Sequence, residues 1–135
     1  MNELFVDTSG WLALTNRSDS LHTAAAQIYN ERFAAGQNFL THAGVMLEVG
    51  NGLSLVRLRH LATQLKSRLD ASARVEVLPI TDDLYESGWR LYAARPDKDW
   101  GIVDCISFVV MQERGLTEAL TADHHFEQAG FIKLL

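Results

Sequence analysis

Five short apolar runs, each separated from the next by an interval of helical pattern, constrain this chain more than any other feature. Leu4 to Asp7, Asn38 to Thr41, Val75 to Ile80, Ala119 to Ala122 and Phe131 to Leu134 read as strands. Helical periodicity fills the intervals near Gly10 to Leu14, Ser20 to Ala35, Gly44 to Gly52, Ser54 to Ala71, Thr81 to Ala94 and Ile102 to Arg114. Parallel strands need long crossovers, usually helices, so the alternation predicts an α/β fold with a mostly parallel sheet covered on both faces. Pro96 disfavours helical continuation from Arg95, which makes Ala94 to Asp97 a loop. The 135 residues, without internal repeat or low-complexity linker, suit a single domain over 1–135.

Hydrophobic residues at 47% and charged residues at 21% are those of an ordinary globular chain, not a disordered or fibrous one. The single cysteine, Cys105, has no internal disulfide partner and falls in an apolar run, so it reads as a small core residue. The opening MNELFVD lacks the basic flank and apolar core of a secretory signal, and the longest mostly apolar run, Cys105 to Met111, is too short to cross a bilayer. A cytoplasmic location and no membrane partner are expected. A net charge of -5 argues against nucleic-acid binding over the whole surface. Locally, Arg57, Arg59, Lys66, Arg68 and Arg74 face only Asp70, on a helical pattern with Leu55, Leu58, Leu61, Leu65 and Leu69 along one side. This is a solvated amphipathic helix unless a polyanion site lies nearby.

The stretch DKDWGIVDCISF raises a sharper question. Asp104 lies inside a run, Ile102 to Val110, that is apolar on nearly every face. In a parallel sheet, ligands gather at the edge formed by the carboxyl ends of the strands and the helix starts that follow. Four acids map there: Asp7 after the first strand, Glu48 about one turn into the helix after the second, Asp104 early in its helix, and Asp123 after Ala119 to Ala122. Two carboxylates about 5 Å apart repel by roughly 3 kcal/mol at an effective dielectric near 20. Such a cluster needs protons or a cation, and hard oxygen ligands select Mg²⁺ or Mn²⁺.

Each acid also has a plainer role open to it. Asp104 can serve its helix dipole, Asp7 and Asp123 can be caps or turn residues, and Glu48 can be solvated. Asp82 and Asp83 follow the N-cap candidate Thr81 and read as dipole partners. Asp99 is a candidate N-cap for a helix starting at Trp100 and a possible outer member of the cluster, while Asp97 reads as solvated beside Lys98. His124 and His125 are adjacent and expected to diverge, and His22, His42 and His60 lack metal-like spacing, which argues against zinc. No serine elbow, Cys/His nucleophile or phosphate-cradling glycine pattern is present. Asn51-Gly52 reads as a helix end.

Taken in order, FVDTSGWLAL, THAGVMLEVGNGL, DKDWGIVDCISFVVM and ALTADHHFEQAGF resemble the PIN domain, especially the compact VapC-type toxins of toxin-antitoxin pairs. The resemblance covers almost the whole chain. It implies a three-layer α/β/α sandwich and Mg²⁺- or Mn²⁺-dependent RNA cleavage leaving 5′-phosphate and 3′-hydroxyl ends. It also implies frequent homodimers and inhibition by an antitoxin protein encoded alongside. By position, Asp7 and Asp104 match the acids that most directly bind metal, and Glu48 and Asp123 the remaining acidic positions. Thr8 and Ser9 match small hydroxyl residues beside the first acid, and Asn51 a polar residue after the second. Gly101 departs from a common serine near the third acid, and His42 from a commoner small hydroxyl residue after Thr41. Two rival readings stand beside the ribonuclease: a catalytically idle binding module, and a phosphohydrolase with Asp7 as nucleophile, weakened by Ser9 where one phosphatase class has its acid/base aspartate.

Overall fold

A computed structural model describes residues 3–135. Among these residues, β1 (Glu3–Val6), β2 (Asn38–His42), β3 (Val75–Leu78), β4 (Glu118–Leu120) and β5 (Ile132–Lys133) form one sheet in the order β3-β2-β1-β4-β5, with every neighbouring pair parallel. Seven helices among the described residues flank it: α1 (Thr8–Thr15), α2 (His22–Ala34), α3 (Ala43–Gly52), α4 (Arg59–Ala71), α5 (Asp82–Ala94), α6 (Ile102–Arg114) and α7 (His124–Gln128). This is the α/β sandwich expected from the alternation. The central register pairs Leu4 with Phe39, Phe5 with Leu40 and Ala119, and Val6 with Leu120. All these residues are fully buried. Strands apolar on both faces require helices on both sides, which is why the runs lack period-two alternation.

Two close approaches set the helix layers. At Gly10 of α1 a Cβ would stand 2.3 Å from the carbonyl oxygen of Leu120, so only glycine lets α1 lie against the end of β4. Gly88 of α5 meets Ile106 of α6 in the same way, where a Cβ would come within 2.5 Å of Cγ1. On the far side of α6, Trp100 and Phe126 contact Phe108 edge to face at centroid distances of 4.9 and 5.0 Å, and Trp100 Nε1 donates to Gln128 Oε1. That cluster ties the start of α6 to α7. Cys105 is buried, and its surroundings, together with the neighbouring Asp104, push its thiol up to about 11, the profile of an inert core residue.

Most element ends shift by a residue or two, and three features of the helices differ more from expectation. The helix expected from Ser54 starts at Arg59, because Leu55 and Val56 are exposed and residues 55–58 form turns. Apolar spacing there is not matched by burial. Asp99 does not cap α6, since Trp100 is drawn into the core and the chain becomes helical only after Gly101. The short α7 was not expected; five residues are too few to show a period. The capping expectation for α5 holds, with Thr81 Oγ1 accepting the N–H of Leu84 and both Asp82 and Asp83 in the first turn.

Candidate active site

β1 lies between β2 and β4, so the chain leaves the sheet in different directions on either side of it, and the crevice at that edge is where such folds seat ligands. Asp7 is the first residue past β1, 4% exposed, and occupies the N-cap position of α1. Glu48 lies midway along α3, which follows β2 directly. Asp104 is the third residue of α6, and Asp123, just beyond β4, is the N-cap of α7.

A hydroxyl network fixes these acids. Thr121 Oγ1 donates to Asp7 Oδ2 at 3.0 Å and accepts the backbone N–H of Asp123 at 3.0 Å. With its only proton committed to Asp7, Thr121 accepts the hydroxyl of Ser9, 3.1 Å away. Ser9 Oγ in turn accepts the N–H of Ala122 at 2.9 Å, and Thr8 Oγ1 donates to Glu48 Oε1 at 2.6 Å. Asp104 Oδ2 accepts the N–H of Gly101 at 3.1 Å, so Asp104 also serves its helix start. His125 Nδ1 lies 3.2 Å from Asp104 Oδ2 and 3.3 Å from Asp123 Oδ1, spanning the third and fourth acids. Asp123 Oδ1 also accepts the N–H of His125.

The electrostatics follow from crowding. Burial pushes Asp7 up to about 7; the Thr8 N–H and Thr121 hydroxyl oppose the rise, and Asp104 and Glu48 add to it. Asp104 is raised first by desolvation, with Gly101 opposing and Asp123 contributing repulsion. Glu48 stands at the exposed rim, yet the surrounding protein raises it too, with Thr8 opposing and Asp104 and Asp123 adding repulsion. Asp104, Glu48 and Asp123 therefore each act on another acid of the set, and Asp7 receives the repulsion of two. Among the described residues, the arginine and lysine ion pairs are all made elsewhere: Arg32 with Glu118, Lys66 with Asp70, Arg95 and Lys98 with Asp97, Arg114 with Glu3 and Glu76. Carboxylates raised this way and left without a strong cation suit a divalent ion.

Other expected positions resolve differently. Asp97 is held outside the cluster by Arg95, whose two nitrogens reach its carboxylate at 3.0 and 3.1 Å. Asn51 is exposed one turn beyond Glu48. His124 and His125 do not diverge: their rings lie 4.4 Å apart, and one ligand atom each from Asp123, His124 and His125 falls within 4.8 Å of the others. Adjacency misled because α7 begins there and turns both rings towards its N-cap carboxylate. Thr121 and His125 were the participants that sequence reasoning missed. The available signals were a hydroxyl two residues before the acid that ends a strand and an imidazole two residues after it. Arg68, on the basic helix, lines a cavity of about 610 Å³ with Trp11, Arg17, His22 and Tyr29, between α1, α2 and α4; none of the four acids lines it.

The PIN domain family model matches residues 4–132. The 23S rRNA-specific endonuclease VapC20 of Mycobacterium tuberculosis is 30% identical to this chain over 131 residues, 97% of each protein. Among solved structures, M. tuberculosis VapC20, described as a sarcin-ricin loop cleaving toxin, superposes with a TM-score of 0.84 at 29% identity, covering 96% of this chain and 97% of that one. VapBC2 from Rickettsia felis bound to a promoter DNA fragment gives 0.71 at 13% identity, over 97% and 96% of the two chains. FitAcB from Neisseria gonorrhoeae gives 0.64 at 15% identity, over 96% and 94%. The last two show likeness of fold alone.

Proposed function

Because the chain belongs to the PIN domain family, we propose that it is a divalent-metal-dependent endoribonuclease, the toxin of a toxin-antitoxin pair, acting on structured ribosomal RNA. The observation that carries this reading is the convergence of Asp7, Glu48, Asp104 and Asp123 at one sheet edge, where Asp7 resists ionisation up to about pH 7. Asp7 and Asp104, with Glu48 and Asp123, would hold one or two Mg²⁺ or Mn²⁺ ions. A cation held there would supply Lewis-acid chemistry, lowering the pKa of a water and polarising the scissile phosphate.

The chain's own contribution is to keep the carboxylates aimed. Thr121 and Thr8 each donate to one carboxylate, which fixes Asp7 and Glu48 and leaves their other oxygens free of these hydroxyls. Gly101 and His125 both approach the same oxygen of Asp104, and His125 also reaches Asp123, so a proton on its Nδ1 steadies two acids at once. Ser9 holds the chain at Ala122 and Thr121, a structural task that leaves no acid/base group where a phosphatase would need one.

The expected partners are the RNA, an antitoxin and a second copy of the chain. The exposed Tyr85, Trp89 and Tyr92 on α5 offer apolar surface for a protein contact. No helix among the described residues is long and apolar enough to cross a membrane; a cytoplasmic location is part of the proposal. Ribosomal RNA fragments incubated with the protein and Mg²⁺ or Mn²⁺ should be cut at a defined position. Chelator or Asp7→Asn should abolish the cut. Cleavage that persists under both conditions refutes the metal mechanism, and wild-type protein that neither cuts nor binds metal favours an idle binding module.

A further inference from the structure

His42 is the residue whose place in the fold the nuclease reading leaves unexplained. It is fully buried at the junction of β2 and α3, where its side chain forms the N-cap of α3. Nδ1 accepts the backbone N–H groups of Gly44 at 3.0 Å and Val45 at 3.4 Å. An accepting Nδ1 puts the ring proton on Nε2, which lies 2.8 Å from Ser107 Oγ and donates to it. Ser107 then donates its own proton to the carbonyl of Val103 at 3.0 Å. Burial lowers the imidazole to about 4, so near neutral pH it is the uncharged form with one donor and one acceptor that this chain of bonds requires. Gly44 admits the ring, since a Cβ there would stand 2.9 Å from Cε1.

The two ends of this network belong to the helices that carry two of the acids. α3 presents Glu48, and α6 presents Asp104, next to Val103 and one turn before Ser107. A serine or threonine could cap α3 equally well, but neither would span the gap to α6. We propose that His42 and Ser107 form a positioning pair, a cross-brace between α3 and α6 that sets the spacing of Glu48 and Asp104 and so the affinity of the site for a divalent cation. The proposal rests on the reading of these acids as cation ligands.

Two variants of the full chain test it. Ser107→Ala removes the bridge and leaves the cap; His42→Ser keeps a capping hydroxyl, loses the reach, and strands no buried ring proton. In metal-free protein, Ser107→Ala should speed amide hydrogen exchange not only in the first turn of α6 but at Gly44 and Val45, on the other helix. By calorimetry at pH 7, both variants should bind Mn²⁺ about 10-fold more weakly than wild type. A purely structural histidine would lower the melting temperature without changing Mn²⁺ affinity of the folded protein. Unchanged exchange at Gly44 and Val45 in Ser107→Ala, or wild-type Mn²⁺ affinity in both variants, overturns the proposal. Failure of the metal reading looks different, because wild-type protein would then bind no Mn²⁺ at all, an outcome that overturns both.

Discussion

Asp7 decides how this molecule responds to pH. In the folded protein it keeps its proton up to about pH 7, while an unperturbed aspartate loses it near 3.8. Between those values the native state binds more protons than the unfolded state, so metal-free stability falls as pH rises. The contribution is complete below 3.8 and lost once pH has passed about 7, with a ceiling on the order of 4 kcal/mol. Urea unfolding of metal-free protein from pH 4 to 8 should show this decline, and Asp7→Asn should flatten it. A stability that rises through the same range would contradict the burial argument. Asp104→Asn tests the second acid. The amide oxygen can still accept the Gly101 N–H, whereas the raised pKa of Asp104 shows that its charge is a net cost. The variant should therefore be at least as stable as wild type without metal at pH 7. It should also lose more than the roughly 10–100-fold in activity that removal of an outer partner causes. The acids could be found in the sequence because Asp7 and Asp123 follow strands, Asp104 opens its helix, and Glu48 lies on the helix that leaves β2 directly, positions that a period reveals. Thr121 and His125 carry only a spacing signal, two residues to either side of Asp123, because their roles exist only once α7 and the β4 edge have brought Asp7, Asp104 and Asp123 within reach.

Helix packing places the acids, and glycine governs its closest contacts. Gly10→Ala would put a methyl 2.3 Å from the backbone carbonyl of Leu120, an atom that cannot rotate away. Gly88→Ala would meet the side chain of Ile106, which can shift. Gly50, inside α3, has nothing within 4 Å of an added Cβ. Unfolding free energies should therefore rank in a definite order. Gly10→Ala should lose the most, Gly88→Ala about 1–3 kcal/mol, and Gly50→Ala should gain about 0.5–1 kcal/mol. A loss at Gly50 as large as that at Gly10 would show that these contacts are misassigned. The long helices were readable from their periods. The stripe that includes Leu55 points to an earlier start for α4, yet Leu55 is exposed, so spacing alone does not report what packs against it. Asp99 has the chemistry of a helix cap, but burial of Trp100 delays the start of α6 until after Gly101 and denies it that role.

Across the described residues, the ion pairs that arginine and lysine do make all lie away from the acidic edge, and the net charge of -5 leaves that edge short of positive charge. A bound dication should therefore stabilise the fold as well as serve chemistry. At 100 times its dissociation constant, a ligand specific for the native state adds about 2.7 kcal/mol. For a chain of this size that corresponds to a rise of about 10 °C in melting temperature. The parallel topology was legible because alternating strands and helices allow few other arrangements. The gathering of distant acids followed from that topology, not from any single segment. Whether the four acids form one cation site is read by Mn²⁺ calorimetry in two buffers of different ionisation enthalpy near pH 7. Binding with a buffer-dependent heat is expected, because Asp7 must release its proton to take the ion, and binding should weaken when Asp7, Glu48, Asp104 or Asp123 is replaced by its amide. Binding that is absent, or that survives replacement of all four acids, would contradict a shared cation site.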